Sequence, residues 1–175
     1  MNTYLNNAKS EFNRADHLIF VSLKYTRTVD ILENILTRLI NCFDNAIMAL
    51  LEFYKELGKL SEIPGSVFAR VNALKQLLEH KETEELLNFY LVMRKIKKAS
   101  PLNSNEFRRG VRMSVIIDKI VIEVDIDTIE EYFKQTETFL RLTMKLIEHY
   151  NRTGEELDMK EALHSVHIDI EFERG

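Results

Sequence analysis

Glycine and proline are scarce in this chain, five and two in 175 residues, and tryptophan is absent. With so few residues that break or turn the backbone, the expectation is a small number of long helices. There is one cysteine, Cys42, so no internal disulfide can form. It lies inside an apolar helical pattern and reads as a small core residue kept reduced, in a cytoplasmic protein. No apolar run approaches the roughly 18–20 residues that a membrane span requires; Leu18 to Leu23, for one, is short and interrupted by Ser22. The start, "MNTYLNNAKSEF", has no basic segment followed by an apolar block, so no signal peptide is expected. Signatures of most enzymes are missing as well: no glycine-rich phosphate loop, no nucleophile elbow, no cysteine set for zinc.

What is present is strong helical periodicity. Leu5, Ala8, Phe12, Ala15, Ile19 and Ser22 recur at three and four, with Asn2 or Thr3 as cap. The strongest stripe is Leu32, Ile35, Leu39, Cys42 or Phe43, Ala46, Leu50, Phe53 and Leu57, starting near Thr28 and stopping at Gly58. Its flanks are apolar too, so this helix contacts neighbours on more than one face and is the central one. "SEIPGSV" is a turn. A shorter helix carries Val67 or Phe68, Val71, Leu74 and Leu77 or Leu78 inward, and another runs from about Thr83 to the basic "RKIKKA". "SPLNSN" reads as a loop, because Pro101 disfavours helix at Ser100. "TIEE", Thr128 to Glu131, has the form of a capping box before a last long helix through Ile147.

Between the loop and that helix the period changes. "RRGVRMSVIIDKIVIEVDID", residues 108–127, alternates apolar and polar residues. A tight turn at Asp118-Lys119 opposes Ile117 to Ile120, Val115 to Ile122, Met113 to Val124 and Val111 to Ile126, all on one face; Asp-Lys is a poor two-residue turn compared with Asn-Gly, and the alternative is a longer loop with shifted register. The other face then pairs Arg112 with Asp125, Ser114 with Glu123 and Ile116 with Val121. A lone hairpin is marginal in water, so its apolar face must lie on the helices. "SVHIDIEF" also alternates and reads as a strand over about 166–172, able to extend the hairpin or pair with a second subunit; the alternative is a disordered tail. The expected fold is therefore mainly α: a four- to five-helix bundle over 1–150 with a β-hairpin inserted at about 111–126. A C-terminal extension over 151–175 adds a short helix and the strand.

Charge is unevenly placed. The chain carries −4 in total, yet from Arg94 to Arg112 seven cations face Glu106 alone, a local +6. An acidic protein with one basic segment points to an anionic partner at that segment. The candidate anion-binding residues are Arg108, Arg109, Arg112, Arg94, Lys95, Lys97, Lys98 and Asn105; arginine's planar fork of donors suits phosphate or carboxylate. Arg112 has a structural competitor in Asp125. No catalytic residue, metal site or cofactor is expected. Glu161 and His164 form a single Glu-x-x-His, where a di-iron bundle needs two copies. His167, Asp169 and Glu171 would form the wet side of the final strand.

"AKSEFNRADHLI", "LINCFDNAIMALLEFY" and "LLNFYLVMRKI", in that order and joined to a final long helix, resemble the HEPN superfamily of four- and five-helix bundles over roughly residues 1–150. The resemblance implies a homodimer that is either an RNA-cleaving toxin or a nucleotide-binding partner of a nucleotidyltransferase. Active ribonucleases of that family carry Arg followed, after four to six residues, by His. Here Arg141 and His149 are separated by seven, and Arg108, Arg109 and Arg112 have no histidine within reach. The function expected is a non-catalytic helical binding module, dimeric, taking RNA, a nucleotide or an acidic protein through residues 94–112. The alternative is a ribonuclease of that superfamily with an atypical active site.

Overall fold

The computed structural model of the chain describes residues 2–99, 103–105 and 110–175. Among the described residues, six helices and a small antiparallel sheet surround one hydrophobic core. Helix α1 (Thr3–His17) starts where the Asn2 side chain accepts a hydrogen bond from the Leu5 amide at 3.1 Å. It continues through a π-helical turn, Leu18–Ser22, into a last turn, Leu23–Tyr25. The wider turn changes the inward stripe. After Ile19 the buried position is Leu23, not Ser22 as the regular spacing predicts, because each residue in a π turn advances by a smaller angle.

Helix α2 (Val29–Glu56) is the central element, capped by the Thr28 hydroxyl on the Ile31 amide. Its 28 residues span about 42 Å at 1.5 Å per residue. Leu32, Ile35, Leu39, Phe43, Ala46 and Leu50 on one side are completely buried, and so are Leu36, Ala49 and Leu51 to either flank. A helix buried this widely must be enclosed, and α1, α3 (Val67–Leu78), α4 (Lys81–Lys98) and α5 (Ile126–Thr153) all pack on it. It ends as expected, with Gly58 at φ +74° supplying the left-handed residue that closes the last turn. Helix α4 begins two residues earlier than the apolar spacing predicts, because the His80 ring accepts from the Glu82 amide at 3.1 Å.

The sheet contains β1 (Asn103–Asn105), β2 (Arg112–Ile117) and β3 (Ile120–Asp125), in that order and antiparallel. The β2–β3 register is the one the two-face pattern predicts, from Ile117 opposite Ile120 to Arg112 opposite Asp125. Asp118 and Lys119 both take positive φ, +51° and +67°, which makes the connection a two-residue turn of the type whose twist matches the strands. Val111, Met113, Val115 and Val124 are buried against the helices, and Ile117, Ile122 and Ile126 are partly so. Ile120, at the tip, is 65% exposed. The third strand precedes the hairpin: residues 103–105, expected as loop, pair with 112–114.

Two expectations at the C-terminal side are overturned. Helix α5 is not capped by a box at Thr128; Asp125 accepts from the Thr128 amide and hydroxyl, both at 2.8 Å, so the helix starts at Ile126. Residues 166–172 are not a strand. They belong to helix α6 (Met159–Arg174), capped by Asp158 and packed on α5 through Ala162, Leu163, Val166 and Ile170. Positions 163, 166 and 170 are three and four apart, so the same residues that alternate also form a helical stripe. Burial of that stripe on α5 decides between them, and ion pairs from α5 flank it: Lys145 to Asp169 at 2.7 Å, Arg141 to Glu173 and Glu137 to Arg174 at 2.6 Å.

Candidate functional site

The basic segment begins in the last turns of α4 and ends at the root of the hairpin. Arg94 is turned inward. Its guanidinium reaches Asp44 of α2 at 3.2 Å and lies 5.8 Å from the centre of the Tyr90 ring, while the Tyr90 hydroxyl donates to the same carboxylate. Burial and that hydrogen bond push the Tyr90 phenol above its ordinary pKa. This clasp joins α4 to α2 and is structural. Lys95 reaches across to Asp118 in the hairpin turn at 3.3 Å, with both side chains largely exposed. Lys97 and Lys98 are exposed and form no ion pair with a carboxylate among the described residues.

Arg112 lies opposite Asp125 in the ladder, as predicted, but does not pair with it. The Arg112 guanidinium instead approaches Glu123 at 3.8 Å, at half exposure, leaving Asp125 free to cap α5. Asn105 sits in β1 opposite Arg112. Arg108 and Arg109 fall outside the described residues. Among the described residues, the cations do not converge on one cleft. Lys95 is at the tip of the hairpin and Arg112 at its root, about 17 Å apart along β2 at 3.3 Å per residue.

At that root lies a recess of about 480 Å³, lined by Arg27, Gly110, Val111, Arg112, Asp125 and Asp127 among others. Arg27 comes from the loop after α1 and was not expected from the sequence. Two residues before it stands Tyr25, 79% exposed, with Lys24 5.9 Å from the ring centre. The signal was the short run "KYTR", an aromatic between cations in a connection, easily lost beside the larger charge cluster. Another concavity, about 630 Å³, is a shallow surface over α1 and α2 where Glu11 braces Arg14 at 2.8 Å and Arg38 at 3.2 Å. Nothing in the sequence pattern marked it.

The acidic and histidine residues near the C-terminus go separate ways once the segment is helical. His167 meets Glu82 of α4, Asp169 meets Lys145, and Glu171 is exposed. Among the described residues no group of three or more His, Cys, Asp or Glu side chains is arranged to hold a metal ion. Arg141, the arginine nearest before His149, is held by Glu137 at 3.0 Å and by Glu173. Cys42 is buried, and burial with Glu11 nearby raises its thiol pKa far above the ordinary value, so it is unreactive in the folded protein.

Asp125 is where the site and the fold meet. The Thr128 amide and hydroxyl hold its carboxyl below the ordinary 3.8, with a smaller contribution from Arg112. A carboxylate with a depressed folded-state pKa contributes stability that is present above its unfolded value and lost as pH falls through the folded one. Asp125→Ala is thus expected to cost about 1 kcal/mol at neutral pH, the usual worth of an N-cap. The deficit should shrink as the pH drops below the ordinary carboxylate range. Asp125→Asn, which keeps the cap without the charge, should lose less at neutral pH. Urea melts of the three proteins at pH 7 and pH 3 measure this directly.

No helix of the described residues is long and apolar enough to cross a membrane. No protein-family model, curated protein or solved structure matches the chain.

Proposed function

We propose that this chain is a non-catalytic, dimeric helical module of the cytoplasm that binds RNA along the face running from the end of α4 to the root of the hairpin. The observation that carries this reading is the state of the cations there. Lys97 and Lys98 are exposed without an acidic partner among the described residues, and Lys95 and Arg112 hold only exposed ones. Exposed pairs of this kind contribute about 0–1 kcal/mol each, so a phosphate exchanges for the carboxylate at little cost. Arg94 is engaged by its clasp with Asp44 and serves the fold.

The spread of the cations favours a polymer over a single nucleotide. Charges strung along the hairpin match successive phosphates, whereas a mononucleotide needs donors converging within one pocket. Arg27 extends the line at the root, and the neighbouring Tyr25 ring offers a surface for a base to stack on. The HEPN-like order of helices agrees with a dimer. The lack of an Arg–His pair at that family's spacing favours retention of RNA over its cleavage.

Binding of a fluorescent single-stranded RNA, followed by anisotropy over a series of salt concentrations, tests the reading. The Lys97→Glu/Lys98→Glu double variant should bind about tenfold or more weakly than the unaltered protein, with the salt slope reduced by about two, since two phosphate contacts are lost. An unchanged affinity would remove this face from the account. RNA shortened during the incubation would replace binding with cleavage.

A further inference from the structure

We propose that the open edge of β3 pairs with the same edge of a second copy of this chain, antiparallel about a two-fold axis centred on Val121. The inference rests on the dimeric reading above and gives that dimer an interface. Three features of the hairpin lead to it. First, the edge is open among the described residues. In the order β1-β2-β3 the last strand has a hydrogen-bonded neighbour on one side only, and the main helix contacts of the hairpin are to α2 and α4 through β2 and, through β3, to its own continuation, α5. Second, the edge is apolar where a soluble edge is usually blunted: Ile120 is 65% exposed, Val121 58% and Ile116, opposite Val121 on the outer face, 48%. Third, its charges complement themselves.

The register follows from hydrogen-bonding geometry and then from charge. A two-residue turn makes Ile117 and Ile120 a hydrogen-bonded pair, so Ile120, Ile122 and Val124 direct their amides toward β2. Val121 and Glu123 direct theirs to the open edge. A second strand must therefore meet Val121 and Glu123, which leaves few alignments. Centred on Glu123, the strands oppose two like carboxylates. Centred on Ile122, they set the apolar Val121 against Glu123 of the other copy. Centred on Val121, they oppose Val121 to itself, Ile120 to Ile122 and Lys119 to Glu123, twice over by symmetry. Only this alignment joins apolar to apolar and cation to anion at every position. It also places the two Ile116 side chains beside the Val121 pair, covering the patch that the monomer leaves in water.

The interface is short. Pairing over Lys119 to Glu123 with three apolar side chains per copy falls below the area of a permanent dimer, so association should be reversible and concentration-dependent. In the dimer the sheets join into a continuous six-stranded one, and the cationic faces beside them lie on a common surface.

Sedimentation velocity over a range of protein concentrations, without RNA, tests the proposal. Lys119→Glu and Glu123→Lys are exposed substitutions, and circular dichroism checks that each variant is folded. Each alone should raise the dimer dissociation constant by about tenfold or more, since like charges then meet at two symmetric places. The Lys119→Glu/Glu123→Lys double variant should recover it, because the pair is restored with its signs exchanged. A dimer indifferent to both single changes would overturn this interface and leave the dimeric reading standing. A chain that stays monomeric at every concentration would overturn both.

Discussion

Phe43→Ala is expected to lower the unfolding free energy by about 3–5 kcal/mol, a large part of the roughly 5–15 kcal/mol that holds a domain together. The Phe43 ring is completely buried on α2 and stacks on Phe139 of α5 at 4.7 Å and on Tyr90 of α4 at 5.3 Å, with Phe89 edge-on at 6.0 Å. One side chain thus joins three helices. The hole left by its removal cannot close readily. Tyr90 is held by its hydroxyl on Asp44 and by Arg94, and α2 is enclosed on several sides, so the walls have little freedom to move inward. Phe20→Ala gives the contrast. That ring lies edge-on to Phe133 at 5.8 Å and is 58% exposed. Its loss should cost about 1 kcal/mol or less. Equilibrium urea unfolding of both variants should show a shifted midpoint and an unchanged slope for Phe43→Ala. Equal losses for the two would mean that the aromatic cluster is not the keystone of the core.

The readability of this fold in its sequence depended on how many alternatives each pattern admitted. The hairpin was legible to the residue because a single placement of the turn satisfied both faces at once. Asp118 and Lys119 accept positive φ there although neither is glycine, since the pairing on either side leaves no other path. The central helix was legible because its apolar surface was too wide for anything but enclosure. Strand β1 was not. Three polar residues, Asn103 to Asn105, contain no alternation, and their pairing is supplied by β2 rather than by their own pattern. The cap at Asp125 was hidden by "TIEE" three residues on, a motif with the right letters but inside the helix. The π turn at Leu18 was hidden because a single widened turn leaves the surrounding three-and-four spacing intact.

The candidate site was legible as charge and illegible as geometry. Seven cations close in sequence suggest one patch, but Arg94 and Lys95 take their direction from partners that sequence distance conceals. Asp44 on another helix claims Arg94, and Asp118 in the turn claims Lys95. Arg27, in turn, joins the root of the hairpin only because α1 ends there. Local charge identifies which segment is basic. Which of its cations remain available is decided by the long-range packing of acidic residues.

The ambiguity at the C-terminus supplies the second large effect. Val166 and Ile168 would share one face of a strand, and a charge at either would be equally damaging. In the helix they lie 200° apart: Val166 is completely buried against α5 and Ile168 is 50% exposed. Val166→Asp is therefore expected to cost about 3 kcal/mol or more, because an unpaired carboxylate enters an apolar contact, whereas Ile168→Asp should cost about 1 kcal/mol or less. The mode of failure should also be local. A helix of 16 residues has little stability away from its partner, so Val166→Asp should release α6 as a unit and lower the helical ellipticity before the rest of the bundle unfolds. The surface ion pairs Lys145–Asp169 and Arg141–Glu173 cannot hold it in place, since exposed pairs compensate for only a fraction of the lost burial. Circular dichroism at 222 nm through a urea titration separates the two variants. Equal losses at 166 and 168 would restore the strand, and α6 would have to be given up.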